Sequence, residues 1–317
     1  MNSGNLHCSL RSSAPIQKQK LNHRDNTGLK VGIIGGYGKM GRWFARFLQE
    51  QGFSVVISGR DCQKSKDTAE HLHLIAASNQ SAVEQSDAVV IAVPIDSFEA
   101  TVRDIAPFTH EGQLIFDITS VKSMPVEIMH KYIVKGTILG VHPMFGPGAK
   151  NITHQRFVLT PTTDEEKKLA IKVKSYLENL DARAMIMSPQ EHDELISIVL
   201  CLSHLVALVY ADTLLKTGQI EKARQVGGTT FRMLLTLTES VLSEDPSFYA
   251  ALQTHLPQTD RLSTILSTNA REWSDVIKAR DSGTFIRRMK EIRQAFISAD
   301  PEFNQAYDNM YHFLDRY

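Results

Sequence analysis

Two kinds of group in this sequence could do chemistry: a few histidines in rigid or apolar surroundings, and a glycine turn able to hold phosphate. His142 stands in Gly140-Val141-His142-Pro143-Met144-Phe145-Gly146-Pro147. An imidazole titrates near working pH, so a histidine at the end of a strand can accept an alcohol proton as hydride leaves. Ser120, in Asp117-Ile118-Thr119-Ser120-Val121-Lys122, is a small polar group at another strand end, placed to touch substrate or to cap the next helix. His204 is polar amid Cys201, Leu202, Leu205 and Val206. A buried imidazole needs a partner, which could be substrate, a neighbouring side chain or water. Arg232 opens an apolar helical stretch; facing a cleft, its planar fork would suit a carboxylate, and otherwise it snorkels to the surface.

The glycine turn is Gly36-Tyr37-Gly38-Lys39-Met40-Gly41, after the apolar run 31–35 and before an amphipathic stretch. In that strand–turn–helix setting the glycines allow a tight turn, close approach of a pyrophosphate and close helix packing, while the helix N-terminus faces the phosphates. The second strand ends in Ser58-Gly59-Arg60-Asp61. NAD-binding chains usually place an acid there for the ribose 2′-hydroxyl. Here Ser58 and Arg60 would instead suit a 2′-phosphate, which favours NADP over NAD, with Asp61 left to cap the next helix. Val93 and Pro94 close the third strand at the edge where the dinucleotide should lie.

These groups need a scaffold that brings strand ends together. Between residues 29 and 188, β-rich runs at 31–35, 54–58, 88–93, 114–118, 137–141, 156–160 and 184–187 alternate with helical stretches at 39–50, 63–71, 98–105, 124–131 and 164–179. This is the pattern of an α/β domain with a doubly wound, mostly parallel Rossmann-type sheet. From 189 to 317 the strand signal is gone. A long helix over 191–216, capped by Ser188 or Gln190 and stopped by Gly218, precedes helical patterns at 222–243, 246–253, 261–279, 284–296 and 301–317. The first of these is apolar nearly all round, which implies burial against another subunit, so an all-α substrate and dimerisation domain is expected. Its apolar core, 199–211, is interrupted by Ser203 and His204 and reads as too short to cross a bilayer.

The chain has 317 residues, 42% hydrophobic and 22% charged, with formal net charge zero. That balance gives no electrostatic reason to expect nucleic acid or an anionic membrane. Three scattered cysteines form neither metal-ligand spacing nor a disulfide framework, which favours a reducing, cytoplasmic setting. Residues 1–28 are basic, polar and aperiodic and read as a disordered extension, a composition that also suits an organelle transit peptide.

Taken in order, Gly36 to Gly41, Thr119-Ser120-Val121-Lys122, His142-Pro143-Met144-Phe145-Gly146-Pro147, and His192-Asp193 followed by Ser203-His204 resemble the prephenate/arogenate dehydrogenase family. The resemblance implies NAD(P)-dependent oxidative decarboxylation of prephenate to 4-hydroxyphenylpyruvate, or of arogenate to tyrosine, by a homodimer. It implies that His142 bonds the C4 hydroxyl and assists its deprotonation, that Ser120 helps to orient that histidine and the substrate, and that His204 is a second active-site histidine. His192 matches the family's His-Asp pair, in a supporting or substrate-binding role. Many members hold a substrate carboxylate with an Arg in a Thr-Arg pair before an Asp-Pro-x-x-Trp pattern. Counting back from Asp245-Pro246, that place falls at Ser240; Arg232, about 80° round the same helix, is the expected substitute.

Two other readings compete. A β-hydroxyacid dehydrogenase would place a lysine on the long helix, and there is none between Glu191 and Leu215. A protein that senses NAD(P) without turnover would leave His142 dispensable.

Overall fold

The computed structural model describes residues 28–314, with side chains through residue 312. The expected disordered extension, apart from its last residue Gly28, and the end of the last expected helix fall outside them.

Eight strands form one sheet: β1 (Lys30–Ile34), β2 (Ser54–Ser58), β3 (Ile75–Ala76), β4 (Ala88–Ile91), β5 (Leu114–Asp117), β6 (Thr137–Pro143), β7 (Arg156–Thr160) and β8 (Arg183–Ile186). Their spatial order is β3-β2-β1-β4-β5-β6-β7-β8, parallel throughout except for the antiparallel β6–β7 pair. The first six strands follow the doubly wound Rossmann order, with the switch point between β1 and β4. Ligands bind outside the carboxyl ends of strands at such a point. The central strands carry Val, Ile and Leu on both faces because helices cover both. Ile33, Ile57, Leu139, Phe157 and Leu159 pack on one side with Trp43, Phe44 and Phe47 of helix Lys39–Glu50. Ile34, Val56, Val89, Ile91 and Ile115 pack on the other with Phe98, Val102 and Met129.

Two short elements were not expected: β3 has two residues and helix Asn79–Glu84 has six. Strand β6 runs two residues further than expected, so that His142 lies within it, paired with Val158 of β7.

In the second half, Ser188 caps the long helix by accepting the Glu191 N–H, and Gly218 stops it in the left-handed region, φ 64°. The helix is continuous over Pro189–Thr217, and six residues, Ser197–Leu202, adopt π-helical bonding. One expectation needs correction here. At 29 residues the helix is, by length and composition alone, able to cross a membrane, because the apolar run extends past His204 through Leu205 to Leu215. Within one chain Val199, Val206, Val209 and Leu215 are exposed, the apolar surface that the expected contact with another subunit would cover. The single pattern expected at 222–243 is two helices, Ile220–Val226 and Thr229–Leu242, because Gly227 and Gly228 interrupt it. Helices Pro246–His255, Thr259–Lys278, Ser282–Ala299 and Ala306–Leu314 complete the chain.

A small apolar cluster joins the halves. Val121 from the loop after β5 packs with Ile196, Cys201, Leu252 and Leu256, and with the partly buried Met144 and Tyr249. The loops that follow β5 and β6 are thereby fixed against the helical domain.

Candidate active site

The glycine turn is tied to β2, since the amides of Gly35 and Gly36 donate to the carbonyl of Ser58 at 2.8 and 2.9 Å. A Cβ on Gly36 would lie 2.5 Å from the Cβ of Ile57. One on Gly41 would overlap the carbonyl oxygen of Gly35 and lie 2.9 Å from the Cα of Gly36. Gly38 is different: its backbone is extended and its added Cβ would meet the Gly35 oxygen at 3.2 Å and the Ala92 oxygen at an ordinary contact distance of 3.9 Å. Two of the three motif glycines are therefore required by the protein's own packing. Gly38 is left for the close approach of a ligand. No side chain caps helix Lys39–Glu50, so its N-terminus keeps its donors for an anion.

Around this turn, Tyr37 lies against Gly59, where a Cβ would strike its ring. Met40 packs against the core under the turn. Val93 touches the turn from the loop after β4, 3.0 Å from a Cβ built on Gly35, and Pro94 is exposed beside it. Lys39 reaches across to the helical half and pairs with Glu244 at 2.7 Å. Ser58 is fully buried, and its Oγ has no partner among the described residues. Asp61 caps helix Cys62–Leu72 by accepting the Lys64 N–H at 3.0 Å, so its carboxylate is already engaged. Arg60 is exposed and makes no ion pair among the described residues. A close-packed glycine cradle and an uncapped helix start, with the Ser58 hydroxyl and the Arg60 guanidinium at the end of β2, fit a nicotinamide dinucleotide.

The histidines form the second part. His142 is buried, and its Nδ1 lies 2.8 Å from Nε2 of His192. The other ring nitrogen of His192, Nδ1, lies 2.8 Å from Oδ1 of Asp193. Asp193 also accepts the backbone N–H of Lys122 at 2.8 Å and of Ser123 at 2.9 Å. It thus serves as the cap of helix Ser123–Tyr132, which has none from its own segment. Beneath lies a buried ion pair: Lys122 Nζ donates to Asp117 and, at 3.1 Å, to the carbonyl of Val141. Thr119 Oγ1 donates to the same Asp117 carboxylate at 2.6 Å.

Burial pushes the His142 imidazole well below its ordinary 6.5, and neighbouring His192 and the Lys122 ammonium push it further down. Burial also lowers His192, against the opposing pull of Asp193. For Asp193 burial alone would raise the carboxyl, but the His192 hydrogen bond and the Ser123 and Lys122 donors outweigh it and hold it below 3.8. Lys122 is lowered by burial, with Asp117 resisting. The resting site is therefore two neutral imidazoles beside one carboxylate.

Several sequence expectations change. His192 has no exposed surface and both ring nitrogens are engaged, so it does not touch substrate in this structure; it supports His142. Ser120 makes no side-chain hydrogen bond among the described residues, so the partner of His142 is His192 and the cap of the next helix is Asp193. Its half-buried hydroxyl stays free for a ligand. His204 stacks edge-on against Tyr249 with centroids 4.6 Å apart, and its enclosed Nδ1 has no partner among the described residues. Burial lowers its pKa. The π-helical turn just before it leaves the carbonyl of Cys201 to accept from Gln253 at 3.0 Å. Tyr249 belongs to the cluster containing Val121 and Met144, which links His204 to the loop carrying Ser120 and to the residue after the strand that carries His142. Arg232 is exposed and makes no ion pair among the described residues. Sequence reasoning missed the Asp117–Lys122 pair and Tyr249. The signal for the pair was two opposite charges five residues apart in an apolar strand end.

Sheet order and glycine turn define a nucleotide-binding fold of Rossmann type, with the buried histidine pair at the carboxyl end of β6. The family model described as prephenate dehydrogenase, nucleotide-binding domain, matches residues 44–186, and prephenate dehydrogenase, dimerization domain, matches 188–291. The chain belongs to the prephenate/arogenate dehydrogenase family. It is 30% identical over 275 residues to the probable arogenate/prephenate dehydrogenase of Methanocaldococcus jannaschii, covering 86% of this chain and 62% of that protein. It is 24% identical to the T-protein of Haemophilus influenzae, covering 86% and 69%. Among solved structures, prephenate dehydrogenase from Aquifex aeolicus in complex with hydroxyphenyl propionate and NAD+ aligns with TM-score 0.69 and 23% identity, over 86% of this chain and 98% of that one. Synechocystis arogenate dehydrogenase aligns with TM-score 0.66 and 19% identity, over 86% and 100%.

Proposed function

We propose that this chain oxidises prephenate with NADP+ and decarboxylates it to 4-hydroxyphenylpyruvate, working as a cytoplasmic homodimer. The observation that carries the reading is His142: a neutral, buried imidazole at the carboxyl end of β6, held from behind by His192, with no partner on its Nε2 among the described residues. A base for a C4 hydroxyl needs that protonation state and that free nitrogen.

Gly36, Gly38, Gly41 and the start of helix Lys39–Glu50 would hold the pyrophosphate, with Ser58 and Arg60 toward the 2′-phosphate and Val93 and Pro94 along the edge. A nicotinamide held there would supply the acceptor for the hydride of C4. His142 takes the hydroxyl proton at Nε2 as C4 becomes a carbonyl. The ring carboxylate, on the saturated carbon opposite that carbonyl, is then the vinylogous counterpart of a β-keto acid and leaves as CO2; its bonding electrons pass through the dienone to the C4 oxygen, which takes the proton back from His142 as the ring becomes aromatic. Ser120 is the hydroxyl nearest in sequence to orient the substrate, and His204 and Arg232 are the groups proposed for its carboxylates. Orientation and charge placement are the enzyme's main contributions.

Dimerisation is supported by the match to a dimerization domain and by the exposed Val199, Val206, Val209 and Leu215 on the long helix. The cytoplasmic reading rests on the unpaired Cys62 and Cys201. Arogenate is the second reading, favoured by the names of two of the similar proteins above. The test is a matrix of prephenate and arogenate against NADP+ and NAD+, followed by the absorbance of reduced nicotinamide. Turnover of prephenate with NADP+ above the other combinations is expected; no turnover of either substrate would refute the reading.

A further inference from the structure

The carboxylate of Asp193 and the two histidines make a chain in which every proton position is determined by its neighbour. Asp193, held ionised, can only accept. Its Oδ1 takes the Lys122 amide and stands 2.8 Å from Nδ1 of His192, so that nitrogen must carry a hydrogen. A neutral imidazole has one N–H, so Nε2 of His192 is left with a lone pair. Nδ1 of His142 faces that lone pair at 2.8 Å and must donate. The single N–H of His142 is then spent inward, and Nε2 is the basic nitrogen.

We propose that Asp193 and His192 are positioning residues that lock the tautomer of His142, so that its only basic nitrogen is the one left to meet the substrate hydroxyl. Resting on the dehydrogenase reading above, this assigns the His-Asp pair its task, one that neither residue performs by touching substrate. A carboxylate that holds an imidazole in one tautomer does the same work in the Ser-His-Asp arrangement, here with one more ring in the path. The alternative tautomer, Nε2–H on His142, would present a donor to the hydroxyl and could not take its proton. Once His142 is protonated, the same chain stabilises the charge: His142 donates to His192, which donates to an anion fixed by two backbone amides.

The surroundings make the arrangement one-way. Lys122 is committed to Asp117 and the Val141 carbonyl, so it offers the histidines no competing hydrogen bond. Both oxygens of Asp193 already face N–H donors. An amide at this position would therefore set an NH2 group against either the Lys122 or the Ser123 N–H. In the first orientation it would also donate to His192 Nδ1, reversing every bond in the chain.

Three variants separate tautomer control from simple support. His192→Gln keeps an acceptor for His142, because Asp193 draws the glutamine NH2 toward itself and turns the carbonyl oxygen the other way. His192→Leu removes the acceptor at similar bulk. Asp193→Asn permits reversal. Two readouts apply: kcat with saturating dinucleotide, and long-range 15N–1H spectra of histidine-labelled protein, which report which ring nitrogen carries hydrogen with no substrate present. In the parent both His142 and His192 should be Nδ1–H. His192→Gln should keep His142 as Nδ1–H and retain kcat to within about tenfold, whereas His192→Leu and Asp193→Asn should lose about a hundredfold or more and show Nε2–H at His142. Dinucleotide affinity should be unchanged in all three. Equal inactivity of His192→Gln and His192→Leu would overturn the proposal, as would Asp193→Asn that loses activity with the His142 signals unaltered. If the parent turned over neither substrate while the spectra followed this pattern, the relay would stand and the assigned reaction would fall.

Discussion

Replacing Gly41 and Gly38 by alanine, one at a time, separates the two uses of the glycine turn. Gly41 lies inside helix Lys39–Glu50, where alanine is worth up to about 1 kcal/mol over glycine by propensity alone. Against that, its Cβ would overlap the Gly35 carbonyl oxygen and lie 2.9 Å from the Gly36 Cα. Both are backbone atoms and cannot rotate aside. Overpacking of this kind costs about 1–3 kcal/mol, and rigid surroundings place Gly41 at the upper end. The net expectation is a loss of about 1–2 kcal/mol, a fall of roughly 2–8 °C in Tm. Gly38 has an extended backbone and only one close neighbour for a Cβ, the Gly35 oxygen at 3.2 Å, which a shift of a few tenths of an ångström relieves. Alanine is the poorer N-cap but restricts the unfolded chain, and these opposing effects are each about 1 kcal/mol or less. Gly38→Ala should therefore melt close to the parent, yet bind NADPH at least tenfold more weakly because the pyrophosphate can no longer reach the backbone. Thermal melts of the free protein and titration with NADPH measure the two effects. Gly41→Ala melting at or above the parent, or Gly38→Ala binding NADPH as tightly as the parent, would refute the reasoning.

Three further outcomes are expected. His142→Asn should lower kcat by about two orders of magnitude or more while substrate still binds, checked by steady-state kinetics and a separate binding titration. Arg60→Ala should lower kcat/KM for NADP+ about tenfold or more with little change for NAD+, since Asp61 is engaged in its cap and Arg60 offers a cation at the end of β2 that has no ion-pair partner among the described residues. Thermal stability should fall as pH drops below about 6.5. The folded protein keeps His142 and His192 neutral, the unfolded chain protonates them near 6.5, and the unfolded state therefore binds more protons on the acid side. Melts from pH 8 to 5 should show this fall, and it should be shallower in His142→Asn; an equally steep fall there would assign it to other groups.

Much of the frame was legible because its signals are local. Runs such as Val55-Val56-Ile57 and Val89-Val90-Ile91 announce buried parallel strands. Ile75–Ala76 and Asn79–Glu84 were invisible because two or six residues are too few to display a period. The π-helical turn at Ser197–Leu202 left no mark either; the partners of its Cys201, Leu252 and Gln253, lie 51 and 52 residues further along the chain. His142 could be picked out from its place at a strand end. The task of His192 could not, because it depends on a helix start and a strand end 50 residues apart meeting at 2.8 Å. A charge such as Lys122 in an apolar run is easily read as surface; only the buried Asp117 partner shows why it sits at 0% exposure.

That the cap of helix Ser123–Tyr132 comes from Asp193 bears on how the protein is made. A nascent chain that has emerged only through β8 holds all of its sheet, yet the start of that helix still turns bare amides toward water and the imidazole of His142 has nothing to donate to. Both wants are met by the first two turns of the next helix to leave the ribosome. The surroundings of His142 are thus complete only once the second half is present, and a chain cut short after β8 would lack both the cap and the partner of that imidazole.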